Sequence, residues 1–399
     1  MQSSSSSSTS NDTKHGDDNT ELSLAAQKEV WNLEQHIVAS LVQVVDEKDD
    51  DDNNDEEYHE SSSLFRILHD DDRNDNDSNE TMELYGGVDV SYPKPAAGGN
   101  KNPEEEDSFA VAAYAILDKR RSLQVVYSDH EFFVPDENIP YLPGYLAFRE
   151  IEPLTRLILR QQSTRPDLTP SIRAILVDGN GIFHPRHAGL ACFVGTRIQN
   201  NIPTIGVGKS LLYEFGWTRD RLDLAIDTFL QAVVKELQEK EEEGLMKNAS
   251  SSSFRRQGLI VPRSIAAPEE YVSSSSCHDD KKKKLLLSSA QRIQLLNYLA
   301  PVCNGLAIPL KGNDRFPVIA YALIGHGGQA GAGVKPTKKV GSSKPIIISV
   351  GHGLSMQHAV EICASLSLAK VPEPIRQADL LGRRLLRESS SCNDKQKQT

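Results

Sequence analysis

The chain has 399 residues, with 44 Lys and Arg against 56 Asp and Glu, for a formal net charge of −12. That length accommodates one large domain or two ordinary ones, and the overall acidity, taken whole, argues against a nucleic-acid partner. The distribution reverses that average: residues 1–80 carry 22 acidic and 5 basic side chains, a balance of −17, which leaves +5 for residues 81–399. An acidic arm is attached to a mildly basic body, and a basic body suits phosphate backbones. The arm reads as solvated disorder, with screening of the body or competition with its ligand as the alternative.

Cys192, Cys277, Cys303, Cys363 and Cys392 form no Cys-x-x-Cys pair. That spacing fits a reducing compartment and speaks against a disulfide scaffold or a thiolate zinc site. No apolar run reaches the ~18 residues that cross a bilayer. The stretch Met1 to Ser8 is polar, so no secretory signal is expected. The expectation is a soluble, non-secreted monomer of the cytoplasm or nucleus, nucleolus included, with no membrane partner.

In chain order, residues 1–23 are a polar tail and 24–45 read as a helix, with Val30, Leu33, Ile37, Val38, Leu41, Val44 and Val45 at helical spacing. Residues 46–80 are acidic low complexity interrupted by Leu64 to Leu68, a short element that could dock. Strands are expected at Leu84 to Tyr92, Phe109 to Leu117 and Leu123 to Val134, an antiparallel meander. A helix follows over Gly144 to Gln162. Ile172 to Val177 is continuously apolar, as in a strand buried on both faces. A helix near 189–200, a strand over Thr204 to Val207 and a charged helix over 223–240 come next. Residues 241–289, with Glu241 to Glu243, two serine runs and Lys281 to Lys284, read as an insertion looping out of the fold. The lysine run is a solvated linker or a nuclear localisation patch. Strands Phe316 to Ile324 and Ile346 to Val350 flank a Gly/Lys loop at 325–344. A last helix runs from Ser355 to Leu368, and 389–399 is a tail. The body is therefore 81–240 joined to 290–388, a mixed α/β sheet with packed helices.

Three carboxylates stand in contexts wrong for a solvated charge. Asp89 lies between Val88 and Val90 in a strand. Glu150 falls on the apolar stripe of its helix with Leu146, Leu154, Leu157 and Ile158. Asp178 ends the run Ile175-Leu176-Val177 and precedes Gly179-Asn180-Gly181. An inward carboxylate is costly unless paired or bound to metal, and three converging ones would repel. A divalent cation resolves that, with oxygen-only ligands suiting Mg²⁺ or Mn²⁺. Helix capping or an ion pair, for instance with Arg149, is the alternative for each. Gly208-Lys209-Ser210 mimics the end of a P-loop, but Pro203 stands where the pattern needs glycine, so Lys209 is at most a phosphate contact. His184 and His187 read as satisfied histidines. His352, between Gly351 and Gly353 at a strand end, suits an oriented imidazole. Pro140-Tyr141-Leu142-Pro143-Gly144 is a rigid turn presenting an aromatic, either to stack on a base or to set the next helix.

These residues resemble one family. Gly86 to Tyr92, Pro140 to Glu150, Val177 to Arg186, Ile205 to Leu212, Ser349 to His352 and Val371 to Arg376 are six ordered blocks similar to endonuclease V. The resemblance implies an RNase H-like fold, with a mixed central sheet, three antiparallel strands first and helices on both faces. It implies a metal-dependent endonuclease for inosine that hydrolyses the second phosphodiester bond 3′ to the lesion, leaving 3′-hydroxyl and 5′-phosphate ends. Mg²⁺, with Mn²⁺ as substitute, would be held by Asp89, Glu150 and Asp178. His352 would position metal, water or phosphate, and Lys209 would steady phosphate charge. Tyr141, with Pro140, Leu142 and Pro143, would form the base-separating wedge, and Gly144, Leu146 and Gly179 would line the pocket for the flipped base. The serine, acidic and lysine tracts look eukaryotic in style, and eukaryotic relatives favour inosine in RNA, so single-stranded RNA is the expected substrate over deoxyinosine in DNA. A non-catalytic inosine-binding module is the rival from another class.

Overall fold

Among the described residues ten strands join one sheet, in the order Phe65–Leu68, Leu259–Pro262, Gly305–Lys311, Val318–Ile324, Ile346–His352, Thr204–Gly208, Ile172–Asp178, Leu84–Ser91, Ala110–Asp118 and Gln124–Phe133, numbered β1 to β10 in chain order. The computed structural model describes residues 17–45, 65–68, 82–93, 109–136, 139–140, 142–198, 200–242, 258–263, 265, 286–300, 303, 305–325 and 343–396. Tyr141, the lysine run 281–284, most of the acidic arm and most of the Gly/Lys loop lie outside them.

The half of the sheet that carries the site follows from the predicted meander. Strands β2 (Leu84–Ser91), β3 (Ala110–Asp118) and β4 (Gln124–Phe133) pair antiparallel in succession. Strand β5 (Ile172–Asp178) then lies parallel to β2, and β6 (Thr204–Gly208) parallel to β5. Parallel central strands are covered on both faces, and β3 and β6 are buried along their whole length. Helix α2 (Ala147–Thr164) packs on β3 and β4 with Ile151, Leu154, Leu157 and Ile158 inward. Two arginines on its exposed side tie it to the edge strand, Arg156 to Glu131 at 2.6 Å and Arg160 to Asp129 at 2.6 Å. Helix α3 (Leu190–Arg197) packs on β6 and β10 (Ile346–His352), and α4 is Arg219–Glu242.

Several elements differ from the sequence reading. Helix α1 spans Asp17–Leu41 and so starts inside the expected tail. Its docked face is Trp31, Gln35, Val38 and Ala39, while Val30, Leu33, Ile37 and Leu41 are exposed. The Trp31 ring settles this, lying 5.2 Å from Phe148 and 5.6 Å from Tyr145. Part of the expected insertion belongs to the sheet: β7 (Leu259–Pro262) pairs with β1 (Phe65–Leu68) and with β8 (Gly305–Lys311). A four-residue apolar strand between serine and charge runs is lost in a window average, and β8 carries Pro309 inside it, which argues against a strand. Strand β9 is Val318–Ile324, and helices α5 (Ser289–Leu299) and α6 (Met356–Ser365) flank this half.

The largest departure is α7 (Glu373–Gln396), a helix the sequence reading ended before and partly assigned to a tail. Pro374 suits a first helical turn, and Ile375, Ala378, Gly382 and Leu386 form its buried stripe. It crosses β2 and β3 on the face of Gly87, Asp89, Ala113 and Ala115. Small residues there let backbone approach backbone. A Cβ on Gly87 would stand 2.1 Å from the carbonyl carbon of Pro374, and one on Gly382 would stand 2.6 Å from Ser91 Oγ. Helices thus cover both faces, α2 on one and α7 on the other.

Gly87→Ala has no flexible side chain to push aside and must displace the start of α7. We expect it to lower stability by about 1–3 kcal/mol, read as a shifted urea midpoint. A midpoint equal to the native one would mean that α7 does not seat on β2 in this way.

Candidate active site

Strands β2, β5 and β6 run the same way, so their carboxyl ends open at one edge of the sheet, where open α/β sheets place their ligands. The register sets Val88 beside Val177 and Asp178 beside Val207. Asp89, Asp178 and Lys209 therefore arrive side by side. Asp89 is 3 % exposed. Lys209 Nζ lies 3.4 Å from Asp89 Oδ1 and makes its shorter ion pair with Asp178 Oδ2. Ser91 Oγ donates to Asp89 Oδ2 at 3.3 Å. Burial pushes the Asp89 carboxyl up to about 8, the Asp178 carboxylate beside it adds to the rise, and Lys209 opposes it. The ammonium of Lys209 is itself partly desolvated, but the two carboxylates raise its pKa overall.

Glu150 approaches from the first turn of α2, where the helix dipole favours a negative charge. Tyr92 Oη donates to Glu150 Oε1 at 3.0 Å. Burial pushes the Glu150 carboxyl up to about 7, against that hydrogen bond, and the charge of Asp89 raises it further. Arg149, the alternative partner, donates through Nη1 to the carbonyl of Ile139 and acts on Glu150 only through its charge.

The predicted pocket turn is held by its backbone. Gly144 adopts φ +81°, the left-handed region that favours glycine. Its carbonyl accepts from Gln35 Nε2 at 2.8 Å, His184 Nε2 at 3.0 Å and Arg186 Nη2 at 3.2 Å. The backbone N–H of Arg186 donates to His184 Nδ1 at 3.3 Å, so this imidazole is neutral with its proton on Nε2. Burial first, and then Arg186, push its pKa down to about 4. Arg186 stacks over the Tyr145 ring at 4.6 Å, and Tyr145 Oη donates to Asn32 Oδ1 at 2.8 Å. Helix α1 and the loop after β5 thereby grip the turn. Leu146 caps α2 at this place, and Pro140, Leu142 and Pro143 precede it at the surface. Gly179 joins β6 through its N–H to Val207 O at 3.3 Å, and its α-carbon faces Leu190.

His352 is not brought to this cluster. It pairs with Thr204 at the opposite end of β6, because β10 runs antiparallel to β6. Thr204 lies beside Ile175 on β5, three residues before Asp178, about 10 Å along a strand. His352 Nδ1 instead accepts from the backbone N–H of Gln43, and burial lowers its pKa. His187 is satisfied too, against Ile182 O at 3.2 Å and Asn313 Nδ2 at 3.0 Å. The residue missed is Asp379. One turn and a half into α7, it acts on Lys209 through its charge and pairs with Arg383 at 2.7 Å. The buried stripe Ile375, Ala378, Gly382 would have placed it, once the helix itself was recognised.

Among the described residues no three of His, Cys, Asp and Glu converge closely enough to hold an ion together. The donor chemistry nonetheless fits a hard cation. Two carboxylates meet in a poorly solvated corner, neutralised by one ammonium, and Glu150 stands next to them. Asp89, Asp178 and Glu150 are the residues that could hold it.

This sheet order with acids at the carboxyl ends of β2 and β5 defines an RNase H-like protein with a carboxylate-centred site. The Endonuclease V family profile matches residues 68–255 and 312–380, more than half of the chain, and the chain belongs to that family. Endonuclease V of mouse (Mus musculus) is 28% identical over 308 residues, 77% of this chain and 61% of the mouse protein. Endonuclease V of human (Homo sapiens) is 27% identical over 308 residues, 77% of this chain and 73% of the human protein. The match to this chain thus spans about three fifths of the mouse relative. The crystal structure of the catalytic domain of human Endonuclease V has the same fold, with a TM-score of 0.52 and 23% identity over 92% of this chain and 98% of that one.

Asp89 binds its proton far above the ordinary 3.8. Its contribution to stability is therefore complete below about pH 3.8 and is lost as pH rises through about 8. Glu150 acts in the same direction, up to about 7. With EDTA present, the melting temperature should fall between pH 6 and pH 8, and Asp89→Asn should flatten that fall. Parallel melting curves for the two proteins would contradict the burial of this charge.

Proposed function

We propose that this chain is a metal-dependent endonuclease that recognises inosine in a single nucleic-acid strand. It hydrolyses the second phosphodiester bond 3′ to the inosine, leaving 3′-hydroxyl and 5′-phosphate ends, with RNA preferred over DNA. The observation that carries the reading is the Asp89–Lys209–Asp178 cluster at the carboxyl ends of β2, β5 and β6, in a chain of the Endonuclease V family. The preference for RNA rests on the eukaryotic style of the tracts around the body.

Asp89, Asp178 and Glu150 are assigned to hold Mg²⁺, with Mn²⁺ as its substitute. Such an ion lowers the pKa of bound water and neutralises phosphate charge. Lys209 Nζ, already at the mouth of the cluster, is the cation that steadies the scissile phosphate. Tyr92 Oη holds Glu150 Oε1 and so fixes the direction of that carboxyl. A flipped inosine costs a few kcal/mol in a duplex and little in a single strand. Its 6-oxo, N1–H edge is to be read by backbone groups near Gly179 and Leu146. The Gly144 carbonyl already takes three donors and serves to fix the turn. We assign the protein no membrane partner, a monomeric state, and a cytoplasmic or nuclear site of action.

The test uses purified protein with Mg²⁺ and four end-labelled single strands, RNA and DNA, each with and without one inosine. We expect one cut, one bond beyond the position next to inosine, faster in RNA. Asp89→Ala and Asp178→Ala should abolish cutting and keep inosine-selective binding. Undiminished cutting by either variant would sink the catalytic assignment, and selective binding without any cutting by the native chain would make it a reader of inosine.

A further inference from the structure

Beside the carboxylate cluster lies a group of cations that the catalytic reading does not use. Lys344 stands three residues before Ile347, which pairs with Gly208, so it runs alongside the segment that begins with Lys209. Lys370 lies in the connection between α6 and α7, just ahead of the Pro374 backbone that presses on Gly87. Arg219 opens α4. Burial lowers the Lys370 pKa, and the charges of Lys344, Arg219 and Lys209 lower it further, so each of the three lies within electrostatic reach of Lys370.

Their placement is built into the core. Arg292 Nη1 donates to the Ser343 carbonyl at 3.0 Å and fixes the residue before Lys344. Arg292 is itself locked by Asp227 at 2.7 Å and Asp223 at 3.1 Å, and Asp223 also takes Arg219 Nε at 3.0 Å. A mostly buried ion-pair network thus sets the backbone just before Lys344 and holds the Arg219 side chain through Asp223. Lys209 and Lys344 are exposed, and Arg219 and Lys370 are half-exposed. Lys209 also faces Asp89 and Asp178, and Arg219 faces Asp223; a row of side-chain cations along one edge suits a chain of phosphates.

We propose that Lys344, Lys370 and Arg219 continue the site from Lys209 as a phosphate-binding strip for the backbone of the strand being cut. The proposal rests on the nucleic-acid reading above and deepens it. The strip holds phosphates that flank the scissile one and carries no base information, since contacts to phosphate fix register and not sequence.

Binding of a labelled single strand with one inosine, followed by anisotropy in EDTA across a salt series, tests this. Each phosphate contact on a single strand contributes about 0.7 to the slope of log K against log salt. Lys344→Gln with Lys370→Gln should make that slope shallower by about 1.4 and weaken binding severalfold at physiological salt. The preference for inosine over the unmodified strand should not change. Arginine at both positions should restore the slope, and Lys235→Gln on the exposed side of α4 should leave it alone. A double variant with the native slope, or one no different from Lys235→Gln, would overturn the strip. A native chain that binds both strands equally would contradict the inosine reading instead, while the same slopes still decide for or against the strip.

Discussion

Everything at this site depends on a carboxylate that ought not to be where it is. Asp89 sits inside an interior strand of the sheet, beside a second carboxylate from the next strand. Two like charges in a poorly solvated corner can persist only if one is protonated or a cation stands between them. The protein uses both remedies: the Asp89 carboxyl is pushed up to about 8, and Lys209 bridges it to Asp178. Two carboxyl groups held this close are the donor chemistry that a hard divalent cation favours.

The surrounding fold supplies the precision. Parallel β2, β5 and β6 bring three side chains to one edge with no loop between strand and charge. Glycine then lets other backbone close around them. Gly87 admits the start of α7, which delivers Asp379 towards Lys209. Gly181 and Gly206 press the turn after Asp178 flat against its neighbours, a Cβ on Gly206 standing 2.2 Å from the Gly181 nitrogen. On the other side of the site the Gly144 carbonyl gathers three donors from α1 and the loop after β5. The acids and the pocket turn are therefore fixed by separate devices, one made of strand register and one made of a hydrogen-bonded turn.

Much of this was legible in the residues, and the exceptions have physical causes. Strands β2, β3, β5 and β6 were placed within a residue or two, β5 most clearly, because a strand buried on both faces reads as a continuous apolar run. Asp89 stood out as a charge between two valines inside its strand, and Asp178 as a charge at the end of an apolar run. His352 also ends a buried strand between glycines, yet strand direction is invisible in a single sequence. Since β10 runs antiparallel to β6, its end falls at the far edge of the sheet. Strand β7 was too short to survive averaging with its charged and serine-rich flanks, and only its long-range partners β1 and β8 define it. Helix α7 was obscured by its interior Gly382 and by the serines near its end, and Asp379 was lost with it. In α1 the most apolar stripe is the exposed one, because Trp31 and Gln35 win the contact with Phe148 and Gly144.

The central proposal is that Asp89 and Asp178 share a site for a divalent cation, beside Lys209, which reaches both carboxyl groups. Calorimetric titration with Mn²⁺ at pH 7, repeated in buffers of different ionisation enthalpy, measures both binding and protons released. The account predicts that the native chain releases a proton as Mn²⁺ binds, because Asp89 is largely protonated beforehand, and that Asp89→Asn and Asp178→Asn each lose the binding. Mn²⁺ bound equally well by all three proteins, with no proton released, would contradict it.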